Sequence, residues 1–439
     1  MTDDHKVMKN KTGQDIAETL RDIRNVLSGN TKGVVYGFHI DSTESDPEDC
    51  ITYLADAVGM TPAYMDYTND KFIWGSWRDA FFMPRPCMVK YDGTVDYYLD
   101  EHDYAKKYDG TASDVADDTY GGNAMMEWGR DGKIIWYKIV PDSDDNTSAS
   151  VYIADYKVDD DFHCWSFINN QGNIVDHFYT PIYNGSLDSN GKLRSISGKT
   201  YDKLCQGKTS AQEVAAAELN NPSTDKIWMI ETFADITLVN LLLILISKTL
   251  DSQSAFGAGR CGQASAASSM LSTGTMDDKG LFWGYTTDGT KGVKVFGMEN
   301  WWGNQWRRYV GHIMNDYVQK YKMTYGIQDG STQNGYLTSS TASDYNGYLT
   351  GITAPNSNNY VKTMGFLDKG CFQNKEVQNN SALYWCDYFY QNSGLRLAVR
   401  GGSCLSTRAG VGAFYVDLGD TPAGAYWDIG AAPSCKPLL

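Results

Sequence analysis

Residues 14 to 28, QDIAETLRDIRNVLS, place Ile16, Leu20, Ile23 and Leu27 at spacings of four, three and four, ahead of Gly29. This period predicts an amphipathic helix with one narrow apolar stripe. Such a stripe suits an oligomerisation or docking helix, and equally a helix packed on its own domain. From Lys32 to about Tyr120 the pattern turns to short strands and turns. In PCMVKYDGTVDYYLD the pair Asp92-Gly93 sits between two aromatic and β-branched runs, which is a hairpin signal. The acidic stretch Asp109 to Gly122, with its Gly and Ser, reads as a boundary. Beyond it AMMEWGRDGKIIWYKIV and SVYIADYKV read as strands that open a second, larger domain. One helical region is expected there, roughly Thr224 to Leu250. Its densest part, LVNLLLILI from Leu238 to Ile246, is about half of the ~20 residues a membrane span needs, so it reads as a buried core helix. The remainder is aromatic and glycine-rich, then strands and turns, with no repeat of solenoid or propeller period. The expected architecture is α+β: an N-terminal helix or attachment segment over 1–30, a small β-rich domain over 31–119, and a large loop-rich domain over 120–439.

Charge narrows the function classes. Lys and Arg number 38 against 54 Asp and Glu, a net charge of −16, so there is no basic footprint for nucleic acid or for an anionic membrane surface. Nine scattered Cys, without a C-x-x-C pair or a His at metal spacing, indicate neither a zinc site nor a disulfide framework. They fit small buried residues made in a reducing cytoplasm. The polar N-terminus has no apolar signal region. Gly257 to Gly262 matches G-x-G-x-x-G but follows the core helix rather than a strand, so it reads as a loop. The acidic clusters 142–145 and 159–161 lack calcium-loop spacing. Neither H-E-x-x-H nor G-x-S-x-G occurs, and no catalytic residue, cofactor or metal is expected.

The C-terminal forty residues are the informative region. In Ala413 to Leu418 strand parity sets Phe414, Val416 and Leu418 on one face and Tyr415 and Asp417 on the other. In Ala425 to Ile429 it turns Trp427 and Ile429 inward and Tyr426 and Asp428 outward. Tyr and Asp among Ser, Thr and Gly is the composition of a recognition surface. It also suits a solvent-exposed sheet edge with tight turns.

GMENWWGNQWRR at 297–308, AVRGGSC at 398–404 and WDIGAAPSC at 427–435 resemble the ordered landmarks of the C-type-lectin fold in its formylglycine-generating-enzyme branch. More closely, GLFWG, GVKVFGMENWWGNQWRR, GAFYVDL and IGAAPSCKPL resemble the variable proteins of diversity-generating retroelements. Those proteins occur in phages and prophages of gut bacteria and are often tail-associated. The resemblance implies that 120–439 is a C-type-lectin-like, formylglycine-generating-enzyme-like domain with a variable region at about 400–435. It implies scaffold positions at Gly401, Gly402, Gly412, Phe414, Leu418, Pro422, Trp427, Ile429 and Gly430. Diversified ligand contacts would be Leu405, Ser406, Thr407, Gly410, Asp417, Gly419, Asp420, Gly424, Tyr426 and Asp428. Arg408 and Tyr415 join them on side-chain chemistry and expected exposure.

The function so implied is a phage or prophage tail protein that binds a host cell-surface receptor, protein or glycan. It would be made in the bacterial cytoplasm and sit in the virion tail with other tail proteins, as a homotrimer without membrane insertion. The enzyme branch is the competing reading. Aligning on Arg400-Gly401-Gly402-Ser403 puts Ser406 and Val411 where its copper-binding thiols belong, and neither supplies a soft ligand. Cys404 lies two positions before the first of these sites. A bacterial surface adhesin or a non-diversified structural virion protein is a further alternative. The calcium-sugar signatures E-P-N and W-N-D of true C-type lectins are absent.

Overall fold

The computed structural model describes residues 33–142, 145–223, 225–285, 288–323 and 348–438. The helix expected over 14–28 lies outside the described residues. The α+β expectation, a helix and small domain followed by a loop-rich C-type-lectin-like domain, is overturned: the protein is mostly β, with 35% of residues in strands distributed over several sheets. Among the described residues only three α-helices form, α1 (Ser210–Glu218), α2 (Phe233–Ser247) and α3 (Ser252–Phe256). Segments read as aromatic loops have instead found strand partners far away in the chain, a choice that local periodicity cannot report.

Three sheets carry the molecule. A four-stranded sheet runs Ile51–Ala55, Val35–Ile40, Ala149–Ala154 and Trp136–Pro141. A seven-stranded sheet joins Trp228–Ile230, Pro433–Cys435, Phe178–Pro181, Gly122–Trp128, Arg85–Lys90, Val95–Asp100 and Asp103–Lys107. The Asp92-Gly93 turn links two of these strands, with Gly93 at φ 86° as such a turn requires. Residue 120 falls between Arg85–Lys90 and Gly122–Trp128, which pair antiparallel from Arg85↔Glu127 to Lys90↔Gly122. One hydrophobic core runs from Phe38 to Leu418 across the same point.

The nine-stranded sheet curls into a nearly closed barrel. Its order is Leu349–Thr353, Val318–Tyr321, Trp306–Asn315, Leu395–Arg400, Val416–Leu418, Tyr388–Gln391, Asn359–Leu367 and Cys371–Gln378, with Ile429–Gly430 lying parallel to Trp306–Asn315. Gln373 spans the gap between the two end strands, its Oε1 accepting from the Ile352 amide at 2.9 Å.

Helix α2 is buried along all of its residues. A Thr232/Asp235 capping box starts it, and Lys248 in the left-handed region (φ 55°) ends it. It is shorter than the expected span 224–250 because Trp228–Ile230 is drawn into the sheet against Pro433–Cys435. No helix among the described residues is long and apolar enough to cross a membrane.

Candidate ligand-binding face

Register across the barrel sheet sorts side chains into two faces, since residues directly opposite on neighbouring strands project the same way. One row reads Arg307, Arg400, Val416 and Phe389. It faces the core: Phe389 is fully buried, and both arginines meet the buried Glu231 carboxylate, at 3.4 Å for Arg307 and 3.1 Å for Arg400. The adjacent row reads Arg308, Val399, Asp417 and Tyr390. It starts under the 419–428 loop and opens to solvent at Tyr390, which is exposed.

Arg308 is covered because two partners hold it. Its Nε lies 3.2 Å from Oε2 of Glu213 on α1, and its Nη2 donates to the Gly424 carbonyl at 3.0 Å. Burial pushes the Glu213 carboxyl up to about 7, with Arg308 opposing. The Pro422 carbonyl accepts from the Ser210 amide at 2.9 Å, so α1 and the sheet together hold the loop.

Aromatic rings line the same side of the sheet. Trp306 meets Tyr415 edge to face at 4.6 Å, Tyr415 meets Tyr388 at 5.8 Å, and Tyr388 meets Tyr360 at 5.2 Å. Such contacts fix each ring; Trp306 is buried beneath them, while Tyr360, Tyr388 and Tyr415 stay half-buried. Three carboxylates sit beside them. Burial pushes Asp417 up to about 7, the Gly419 N–H opposes this, and Asp420 and Asp428 add repulsion. Asp420 and Asp428 are also raised, chiefly by burial, the first opposed by Arg308 and the second by the Ser403 hydroxyl. Among the described residues no group of three or more His, Cys, Asp or Glu side chains is arranged to hold a metal ion.

The residues expected as contacts fall into three environments. Thr407, Arg408 and Tyr426 are exposed. Leu405, Ser406, Tyr415, Asp417, Gly419, Asp420, Gly424 and Asp428 are half-buried. Gly410 is buried, and a Cβ there would come within 2.9 Å of the Tyr388 Cβ. The two stretches meet: Ser403 Oγ donates to Asp428 at 3.1 Å, while Leu405 and Trp427 both pack on Leu204, Met270 and Cys404.

Sequence reasoning missed Trp306, Arg308, Tyr360, Tyr388 and Tyr390, which other strands bring to this face. The alternation in Tyr388-Phe389-Tyr390, one buried ring between two accessible ones, is the signal that was there to read. Ser406 and Val411 both lie against Gly402, so the positions aligned with the enzyme branch's thiols are adjacent in space but hold a hydroxyl and an isopropyl group. The Cys404 thiol is fully buried, and burial pushes it up to about 11. Comparison with protein-family models and with curated proteins finds no match for this chain.

Proposed function

We propose that this protein is a tail-associated receptor-binding protein of a phage or prophage, of the diversity-generating-retroelement variable kind, and that it attaches to a host-cell surface through the face around Tyr390, Arg408, Asp417 and Tyr426. The observation that carries the reading is the two-faced sheet. Neighbouring rows of one sheet put Arg307, Arg400 and Phe389 into a rigid core and Asp417 and Tyr390 on the accessible side. A preorganised platform with adaptable loops above it is how a scaffold tolerates change in its contacts without losing its fold. The rings and carboxylates suit a partner bearing hydroxyl or cationic groups. In a homotrimer on a virion, several modest contacts would add through multivalency.

The test compares host-cell adsorption of the native protein with a Tyr390→Ala, Arg408→Ala, Tyr426→Ala triple variant, all at exposed positions. Loss of adsorption with an unchanged circular dichroism spectrum supports the face. Unchanged adsorption removes it. Self-diversification is tested separately in the gene's neighbourhood, where a reverse transcriptase and a near-copy of the codons for 400–435 are expected.

A further inference from the structure

A concave site that includes none of those residues lies where four parts of the chain meet: 70–83, 101–102, 130 and 278–283. The cleft measures about 560 Å³, within the range of sites that take small ligands. Its floor is aromatic. Phe72 stacks on Phe282 at 4.5 Å, and Trp74 stands edge-on to Phe282 at 5.4 Å. At the rim, Trp283 donates from Nε1 to the Asp70 carboxylate at 2.9 Å, which fixes the indole plane. Gly280, at φ 70°, turns the rim loop toward His102.

The charges around this floor cancel. Lys71, Arg78, Arg130 and Lys279 supply four cations, while Asp70, Asp79, Glu101 and Asp278 supply four carboxylates. Neither sign dominates, although the whole chain carries −16. The closest pairings within the cleft are loose, Arg130 to Glu101 at 3.9 Å and Lys279 to Asp278 at 3.7 Å. These groups therefore keep donor and acceptor capacity for a ligand. A phosphorylated or carboxylated ligand would face four carboxylates, and a polycation would face four cations. A wholly apolar ligand would leave this polar rim desolvated and unpaired.

We propose that this cleft binds an uncharged oligosaccharide. Sugar rings present C–H faces to the half-buried Phe72, Trp74 and Trp283 rings, and each hydroxyl both donates and accepts, which the carboxylates and cationic N–H groups lining the cleft satisfy. The site is independent of the receptor-binding face, so either can fail alone.

The experiment is saturation-transfer NMR on the full chain with neutral hexasaccharides of glucose, galactose and mannose, and with hexagalacturonate and hexaglucosamine as charged controls. At least one neutral hexasaccharide is expected to bind, weakening by about tenfold or more in both Trp283→Ala and Arg78→Ala. Arg78 is exposed, so its removal leaves the fold intact and keeps the result readable if the tryptophan variant unfolds. Three results overturn the proposal: none of the neutral hexasaccharides binds, a charged control binds better, or binding survives Arg78→Ala.

Discussion

Arg400, in the Arg-Gly-Gly-Ser segment, is paired with Glu231 in the fully buried core, Nη2 to Oε1 at 3.1 Å. Its guanidinium also lies 3.6 Å from the centre of the Trp301 ring and donates to the Trp301 carbonyl at 2.6 Å. The residue thus ties Glu231, in the link between Trp228–Ile230 and α2, to two landmarks of the resemblance, the Trp301-Trp302 segment and its own glycine pair. Burial lowers the Arg400 pKa to about 9, still above neutrality, so it carries its charge there.

Removing one partner from a buried ion pair leaves an uncompensated charge. Arg400→Met is expected to cost roughly 3 kcal/mol, because Arg307 remains near Glu231. Arg400→Lys recovers little of it, since an ammonium cannot both stack on Trp301 and reach two acceptors. Denaturant midpoints of the three proteins check this. Equal midpoints for native and Arg400→Met would refute it.

Asp417 makes stability depend on pH. Its folded-state carboxyl sits at about 7, above the unfolded value of about 3.9. The native state therefore holds the proton more tightly, and this contribution is present at low pH and lost as pH rises through about 7. Glu213 adds a similar slope, so the readout is a difference. Between pH 5 and pH 8 the native protein should lose more stability than Asp417→Asn, measured by denaturant unfolding at each pH.

The face should tolerate variation unevenly. A Cβ on Gly412 would lie 2.0 Å from the Asp387 carboxylate, and one on Gly410 would press on the Tyr388 backbone end at 2.9 Å. Gly410→Ala is expected to cost about 1–3 kcal/mol through overpacking, and Gly412→Ala more. Substitutions at Thr407, Arg408 and Tyr426 should change unfolding free energy by less than about 0.5 kcal/mol. A library over 405–428 sorted for folded display should therefore retain diversity at 407, 408 and 426 and lose it at 410.

All nine cysteines are free and buried. Burial pushes Cys205 up to about 12 and Cys261 up to about 11, which removes the reactive thiolate at neutral pH. Native protein should react with a thiol reagent at none of them within minutes, and in denaturant at all nine. Rapid native labelling at Cys404 would contradict its packing against Leu204 and Met270.

Only part of the candidate face was legible from strand parity, which is local. It holds within Val416–Leu418, where Asp417 and Leu418 take opposite faces, but Phe414 lies in a turn and Tyr426 in a loop, so tertiary neighbours set their burial and exposure. Gly410 could not be judged that way, since the Tyr388 that crowds it is a tertiary neighbour. The same holds for Arg308, whose burial depends on Glu213 from α1 and on the Gly424 carbonyl.

What the sequence by itself determined is what a few neighbouring residues settle: the Asp92-Gly93 hairpin, the apolar run that becomes α2, and the opposite facing of Asp417 and Leu418 in Val416–Leu418. Tertiary structure alone decided the mostly β class, because Trp228–Ile230 becomes a strand only by pairing with Pro433–Cys435. It also decided the cleft, where Trp74 and Phe282 touch. Strand pairing and concave sites join residues distant in the chain, and their energy comes from partners that no local pattern names.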